Sequence, residues 1–216
     1  MSGTRAPPLA QPELDPDDVL VESEAIRERG VEAEIGASVH VLEIGFGRAE
    51  VIMEMARQRP AQRFLGVEVS RKRVQKAARR VARAGIPNLR VVHATAEYLL
   101  ERVLRPESVS ECWINFPDPW PKKRHHRRRL LRREVLPLLA RVLRPGAVLH
   151  LATDHLPYAE SIDGLLSGSE LFDNLHAPDP WSKIAPERCE TVYEQEFLAE
   201  GRAIAYFEYK RSEVPA

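Results

Sequence analysis

Residues 41–50 read VLEIGFGRAE, an apolar run that breaks at two glycines and continues into a charged segment of helical spacing. The run suits the first strand of a βαβ unit. Gly45 and Gly47 let the backbone approach a ligand closely, and the helix that follows offers free N–H groups at its start. Downstream, β-rich runs keep alternating with helical segments, the pattern of a parallel sheet. Strands are expected at 39–44, 63–69, 89–94, 110–116 and 147–153, with helices near 49–58, 71–84, 96–104, 127–143 and 156–167. Two further strands near 188–198 and 202–210, separated by Gly201, would close the sheet as a hairpin. The expected architecture is α/β: a seven-stranded, mostly parallel sheet with helices on both faces.

The chain has 216 residues, 44% of them hydrophobic, enough for one α/β domain with a core and too few for two. Residues 1–19 hold four prolines and three aspartates, with Ser2 and Gly3 at the start. We therefore expect a partly disordered N-terminal extension over 1–35 and a single domain over 36–216. Net charge is zero, yet residues 1–50 hold eleven acidic side chains against four basic, and 119–144 hold ten basic against one, Glu134. A basic patch of that density points to an anionic partner, phosphate backbones first among them. Cys112 and Cys189 form no CxxC, and no histidines stand at ligand spacing, so neither a disulfide framework nor a metal site is expected. The first residues lack the apolar core of a secretion signal, and no stretch approaches the roughly 20 apolar residues of a membrane span. A cytoplasmic protein with no membrane role is expected.

A strand-to-helix turn with two glycines suits either a dinucleotide or S-adenosylmethionine. The dinucleotide fingerprint GxGxxG needs a third glycine where Glu50 stands, and an acid there would repel a pyrophosphate. S-adenosylmethionine has no phosphate but carries an ammonium and a sulfonium, so Glu43 at the end of the first strand is chemically apt. Glu68 ends the second strand, where a carboxylate can accept both ribose hydroxyls. The third strand runs into HATAE, which puts Thr95 either beside an adenine or at the N-cap of the next helix.

Beyond the fourth strand, residues 115–130 read NFPDPWPKKRHHRRRL. Ligands of open parallel sheets collect past the carboxyl ends of the strands. Pro117 and Pro119 fix φ on both sides of Asp118 and hold its carboxylate at that edge. The cations that follow would grip a polyanion from the same loop. Trp113 sits mid-strand and is expected in the core, whereas Trp120 either stacks on a base or braces the loop. The cations at 71, 72, 73, 76, 79, 80 and 83 either extend an RNA footprint or form a solvated helix face, and the solvated face is the expectation.

With PDPW-x-KKRHxxRR at 117–129, LEIGFG at 42–47, ATDxxxYAE at 152–160 and RxxTxYE at 188–194, the sequence resembles the bacterial single-chain tRNA guanine-N7 methyltransferases over roughly residues 38–210. The resemblance implies a Rossmann-like, S-adenosylmethionine-dependent methyltransferase fold acting on tRNA at the variable-loop guanosine, as a monomer or homodimer without a metal. It implies that Glu43, Gly45, Gly47, Glu68, Thr95 and Asp118 line the cofactor pocket, with Asp118 catalytic. By the same resemblance Lys122, Asp154, Thr191, Tyr193 and Glu194 hold the substrate guanosine, and Arg124, His125, His126, Arg127, Arg128 and Arg129 bind RNA. Asp154 could instead cap the helix that follows it. Three positions depart from the family pattern: Thr95 stands for an Asp or Asn, Ala49 for a frequent third glycine, and Pro121 for a frequent His.

Guanine N7 has a lone pair and no proton to lose. Attack on a sulfonium methyl therefore needs no general base, and a carboxylate contributes by orienting the guanine edge and stabilising the developing cation. Two other readings compete. An amino-methyltransferase acting on adenine or another exocyclic nitrogen would carry N-P-P-aromatic after strand four, which Asn115-Phe116-Pro117 begins and Asp118 interrupts. A non-catalytic RNA-binding module could retain a vestigial cofactor pocket.

Overall fold

The computed structural model describes residues 14–30, 33–34 and 39–213. Its sheet has the strand order β1-β4-β3-β2-β5-β6-β8-β7. These are β1 (Leu20–Val21), β2 (Val41–Ile44), β3 (Phe64–Glu68), β4 (Leu89–His93), β5 (Val109–Asn115), β6 (Leu143–Thr153), β7 (Phe172–Asn174) and β8 (Ala205–Arg211). The pairings from β1 through β6 are parallel, and β8 runs antiparallel to both β6 and β7.

Parallel strands covered on both faces must be apolar at nearly every position, and β2 and β3 are buried throughout. Alternation sends Val41, Phe64, Leu89 and Val91 to one face, against Ile52 and Met55 of α3 (Glu50–Gln58) and Val74 and Val81 of α4 (Arg71–Arg83). Leu42, Ile44, Leu65, Val67 and Val92 go to the other face. There they meet α2 (Ser23–Arg29), α6 (Leu136–Val142) and α7 (Leu156–Leu166). The same period of two puts Glu43 and Glu68 on the α3/α4 side. Gly66 lies between them in the sheet, where a Cβ would come within 2.7 Å of Phe46 Cδ1. The aromatic ring of the glycine turn can lie on β3 because residue 66 has no side chain.

Among the described residues the sheet has eight strands, not the seven expected, and the differences lie at the edges. Part of the expected extension, α1 (Pro16–Val19), β1 and α2, packs on the sheet, with Val19 and Ile26 buried. Its first thirteen residues fall outside the described ones. Residues 188–198 do not form a strand: Val192–Ala199 is a helix, α8, and β7 takes the place beside β8. Thr191 opens α8 with a capping box, accepting from the Glu194 amide at 2.9 Å while the Glu194 carboxylate accepts from the Thr191 amide at 3.0 Å.

The helix expected over 127–143 is divided into a 3₁₀ turn, Lys123–Arg128, and α6. Pro137 lies in the first turn of α6, where it is tolerated; in the interior of a longer helix it would clash with the carbonyl four residues back. The helix expected over 96–104 is a single α turn, α5 (Ala96–Tyr98), that widens into a π turn, Leu99–Val103. No helix among the described residues is long and apolar enough to cross a membrane.

Candidate active site

The carboxyl ends of β2 to β6 open onto two adjoining cavities. One, of about 420 Å³, is lined by Glu43, Gly47, Asp154, Thr191 and Phe197 among others. The second, of about 310 Å³, is lined by Glu68, Val69, Ala94, Thr95 and Trp120 among others. Gly45, Arg73 and residues 115–118 line both, so the loop after β5 is their common wall.

The glycine turn is left-handed at three residues: Gly45 (φ 76°), Gly47 (φ 54°) and Ala49 (φ 59°). Ala49 is fully buried and left-handed without being glycine, at a cost of about 1–2 kcal/mol. The turn is tied down from the neighbouring strand. The Gly45 amide donates to the Val67 carbonyl at 2.8 Å, and the Gly47 amide donates to Glu68 Oε2 at 3.1 Å. Glu68 Oε1 accepts from the Ser70 amide at 2.9 Å, and Arg73 approaches the same carboxylate at 3.5 Å. Oε1 thus has one fixed partner and a lone pair to spare, while Oε2 faces both the Gly47 amide and Arg73.

Glu43 is only 3% exposed, and its Oε2 has no hydrogen-bond partner. Its Oε1 accepts from Asn115 Nδ2 at 3.0 Å. Burial pushes its carboxyl up to about 7, against the pull of Asn115, of Arg188 and of the Ile52 amide in the first turn of α3. Behind it runs a chain of buried polar groups: Arg188 Nη2 donates to Asn115 Oδ1 at 3.2 Å, and Arg188 Nη1 donates to Glu194 Oε2 at 2.7 Å. The Tyr206 hydroxyl then donates to Glu194 Oε1 at 2.7 Å. The side chains of Arg188 and Glu194 are wholly buried. Trp113, in the core as expected, lies under the Arg188 guanidinium at 5.6 Å and stacks on His150 at 3.8 Å.

The loop carrying Asp118 is held in an uncommon shape. Phe116 (φ 50°) and Trp120 (φ 41°) bracket it, both left-handed without being glycine, and such residues cost on the order of 1–3 kcal/mol each. Side chains on both sides hold the shape. Phe116 meets Phe197 edge-on at 5.7 Å, and Arg129 Nε donates to the Pro119 carbonyl at 2.7 Å. Trp120 has the Arg128 guanidinium at 5.0 Å and the His125 ring at 5.7 Å. Asp118 itself is exposed and reaches both cavities.

The structure brings Glu43, Gly45, Gly47, Glu68, Thr95, Asp118, Asp154 and Thr191 together around these cavities. Thr95 also caps α5, accepting from the Tyr98 amide at 3.2 Å. Asp154 is not the cap of α7. That position belongs to His155, which accepts from the Tyr158 amide at 3.2 Å, while Asp154 pairs with Arg202. Lys122 is exposed and lines neither cavity. Glu194 is turned inward with both oxygens engaged, and the side chain of Tyr193 lies outside the described residues.

Arg124, His125, His126, Arg127 and Arg128 stand on the 3₁₀ turn, with Arg124, Arg127 and Arg128 exposed. Arg129 is a correction. It is 5% exposed and lies over the Tyr158 ring at 4.6 Å, so its charge clamps the loop instead of facing a phosphate. Sequence reasoning missed Arg73, Phe197 and Arg202, none of which lies in a motif. It gave Arg188 no role although RxxTxYE begins there.

A family model described as "Putative methyltransferase" matches residues 37–207. The tRNA (guanine-N(7)-)-methyltransferase of Nitrosococcus oceani is 39% identical over 172 residues, spanning 80% of this chain and 71% of that protein. The protein of the same name from Halorhodospira halophila is 41% identical over 168 residues, or 78% of this chain and 73% of that protein. Among solved structures, the 16S rRNA methyltransferase KamB superposes with a TM-score of 0.59 at 19% identity, over 88% of this chain and 92% of that one. The antibiotic-resistance methyltransferase Kmr gives 0.59 at 22% identity, over 87% and 93%. At these identities the two structures speak for the fold alone.

Proposed function

The chain belongs to the tRNA (guanine-N(7)-)-methyltransferase family, and on that premise we propose that it methylates N7 of a guanosine in tRNA with S-adenosylmethionine as donor. The observation that carries the reading is Glu43. A buried carboxylate with one oxygen unpartnered at a cavity wall calls for a cation, and this cofactor brings an ammonium and a sulfonium. The guanosine is that of the variable loop, and the protein works in the cytoplasm. Residues 36–216 are the catalytic domain, with residues 16–29 completing its sheet.

Bound S-adenosylmethionine supplies a methyl group on positively charged sulfur. Guanine N7 carries a lone pair and no proton, so no residue of the chain would have to act as a general base. What the protein must do is hold and stabilise. Glu43 takes the cationic end, Gly45 and Gly47 let the backbone come close, and Glu68, already oriented by two amides, accepts the ribose hydroxyls. Thr95 offers its hydroxyl beside the adenine. Asp118, on the wall common to both cavities, orients the guanine edge and stabilises its developing charge. Asp154 and Thr191 face the guanosine, with Lys122 at the rim. Arg124, His125, His126, Arg127 and Arg128 hold phosphates. Glu194 acts through Arg188 and Asn115 as a positioning residue, not on the guanosine itself.

The test is chemical. Unmodified tRNA is incubated with the protein and S-adenosylmethionine, digested to nucleosides and analysed by mass spectrometry. The expected product is 7-methylguanosine. A methyl group on an exocyclic nitrogen would overturn the reading in favour of an amino-methyltransferase, and no methylated product would overturn it altogether.

A further inference from the structure

A third cavity, of about 520 Å³, opens beside the glycine turn. Arg48, Lys72, Arg73, Lys76 and Arg80 line it, against one carboxylate, Glu50. We infer that this cavity and the outer face of α4 bind the sugar-phosphate backbone of the substrate tRNA, as a second cationic bank on the far side of the reaction site from residues 122–128. The inference deepens the proposed function and rests on it.

The charges of α4 come at a cost to the helix. Over residues 71–83 there are seven cations and no anion. Burial of Val74, Ala77, Ala78, Val81 and Ala82 drives them to the outer face. A helix face that merely met water would be better served by opposite charges one turn apart. Here Lys72 and Lys76, Lys76 and Arg80, and Arg79 and Arg83 set like charges at that spacing, which destabilises a helix. Arg71, Lys72 and Arg73 also stand in the first turn, where the helix dipole favours anions. The arrangement works against the isolated helix and suits a polyanion.

The basic cavity is also well positioned. Gly47, Arg48, Glu50 and Arg73 line both this cavity and the one holding Glu43 and Asp118, so the basic cavity is continuous with the reaction site. In the sheet, β3 and β5 flank β2. The residues after β3 form α4, and those after β5 form the Asp118 loop and its basic turn. A nucleotide held at the end of β2 therefore has cations on both sides, where the backbone leading to and from it must run. Arg80 donates to the Arg48 carbonyl and Arg73 approaches Glu68, which leaves Lys72 and Lys76, both exposed, as the side chains best placed for phosphate.

The experiment compares Lys72→Ala/Lys76→Ala with Arg127→Ala/Arg128→Ala and the unaltered protein, by tRNA binding across a series of salt concentrations. Each lost phosphate contact should flatten the slope of log K against log salt by about 0.7–0.9, so the lysine pair should remove about 1.4–1.8. In the lysine variant, cofactor affinity by calorimetry should stay as in the unaltered protein, because neither lysine lines the cavities that hold Glu43 and Glu68. An unaltered salt slope in the lysine variant, with a flattened one in the arginine variant, would overturn this inference and leave the proposed function standing. An unaltered protein that neither binds nor methylates tRNA would overturn both.

Discussion

Residues 122–128 and 188–194 both carry charge to the same site, and they use it in opposite ways. In the first segment Arg124, Arg127 and Arg128 are exposed, while Arg188 and Glu194 of the second are wholly buried and bonded to each other, to Asn115 and to Tyr206. Water-facing cations cost the fold little and act by contact with whatever polyanion arrives. A buried pair acts by holding its neighbours in place, and removing one member strands the other in the core. Two segments that a motif treats alike therefore call for different experiments.

The largest effect should come from the buried side. Glu194→Ala leaves Arg188 without its partner, and stability should fall by about 3–5 kcal/mol, a drop of roughly 6–20 °C in melting temperature for a chain of this size. The apolar double variant Arg188→Met/Glu194→Leu should recover much of that stability yet bind S-adenosylmethionine weakly, because Asn115 loses the guanidinium that orients it toward Glu43. Wild-type cofactor affinity in the double variant would reduce the chain of buried groups to a packing feature.

Asp118 sharpens the contrast from the exposed side. Asp118→Asn keeps the shape of the loop and removes its charge, so methyl transfer in a single turnover should slow by about 10²–10³ while melting temperature and tRNA affinity stay put. A near-normal rate would sink the charge-stabilising role.

The smallest effect is a proton. Burial raises the Glu43 carboxyl from 4.5 to about 7. The stability linked to its protonated form is complete below pH 4.5 and is lost as pH rises through about 7. A cationic cofactor favours the ionised form, so its affinity should climb across the same window, with up to one proton released on binding. Calorimetry at pH 6.5 in buffers of different ionisation heat would measure that release; an equal release from Glu43→Gln would assign the proton elsewhere.

How much of this was legible beforehand differs by element. The β2 turn and the Asp118 loop declare themselves because glycine and proline restrict the backbone locally, whatever packs around them. Residues 188–198 misled because Thr191, Val192 and Tyr193 favour strands, although the Thr191-x-x-Glu194 capping signal was present and would have decided for a helix. Burial within a charged run carries no local signal at all: Arg129 differs from Arg128 only in having the Tyr158 ring and the Pro119 carbonyl within reach, and both come from packing. The edge strands β1 and β7, two and three residues long, are too short for any periodicity to show.

Those short edges have a further consequence. A sheet eight strands wide would ordinarily present two rows of unpaired peptide groups, each a template on which another chain could add itself. Here the outermost strands offer two and three residues, too little to hold a foreign strand in register. Behind β1 lies β4, the five-residue run LRVVH with Leu89, Val91 and Val92 buried, which would make an adhesive border if it stood last. By pairing with Val91 and Val92, Leu20 and Val21 occupy hydrogen-bonding positions on which a copy of the chain could otherwise add itself, a service quite separate from methyl transfer.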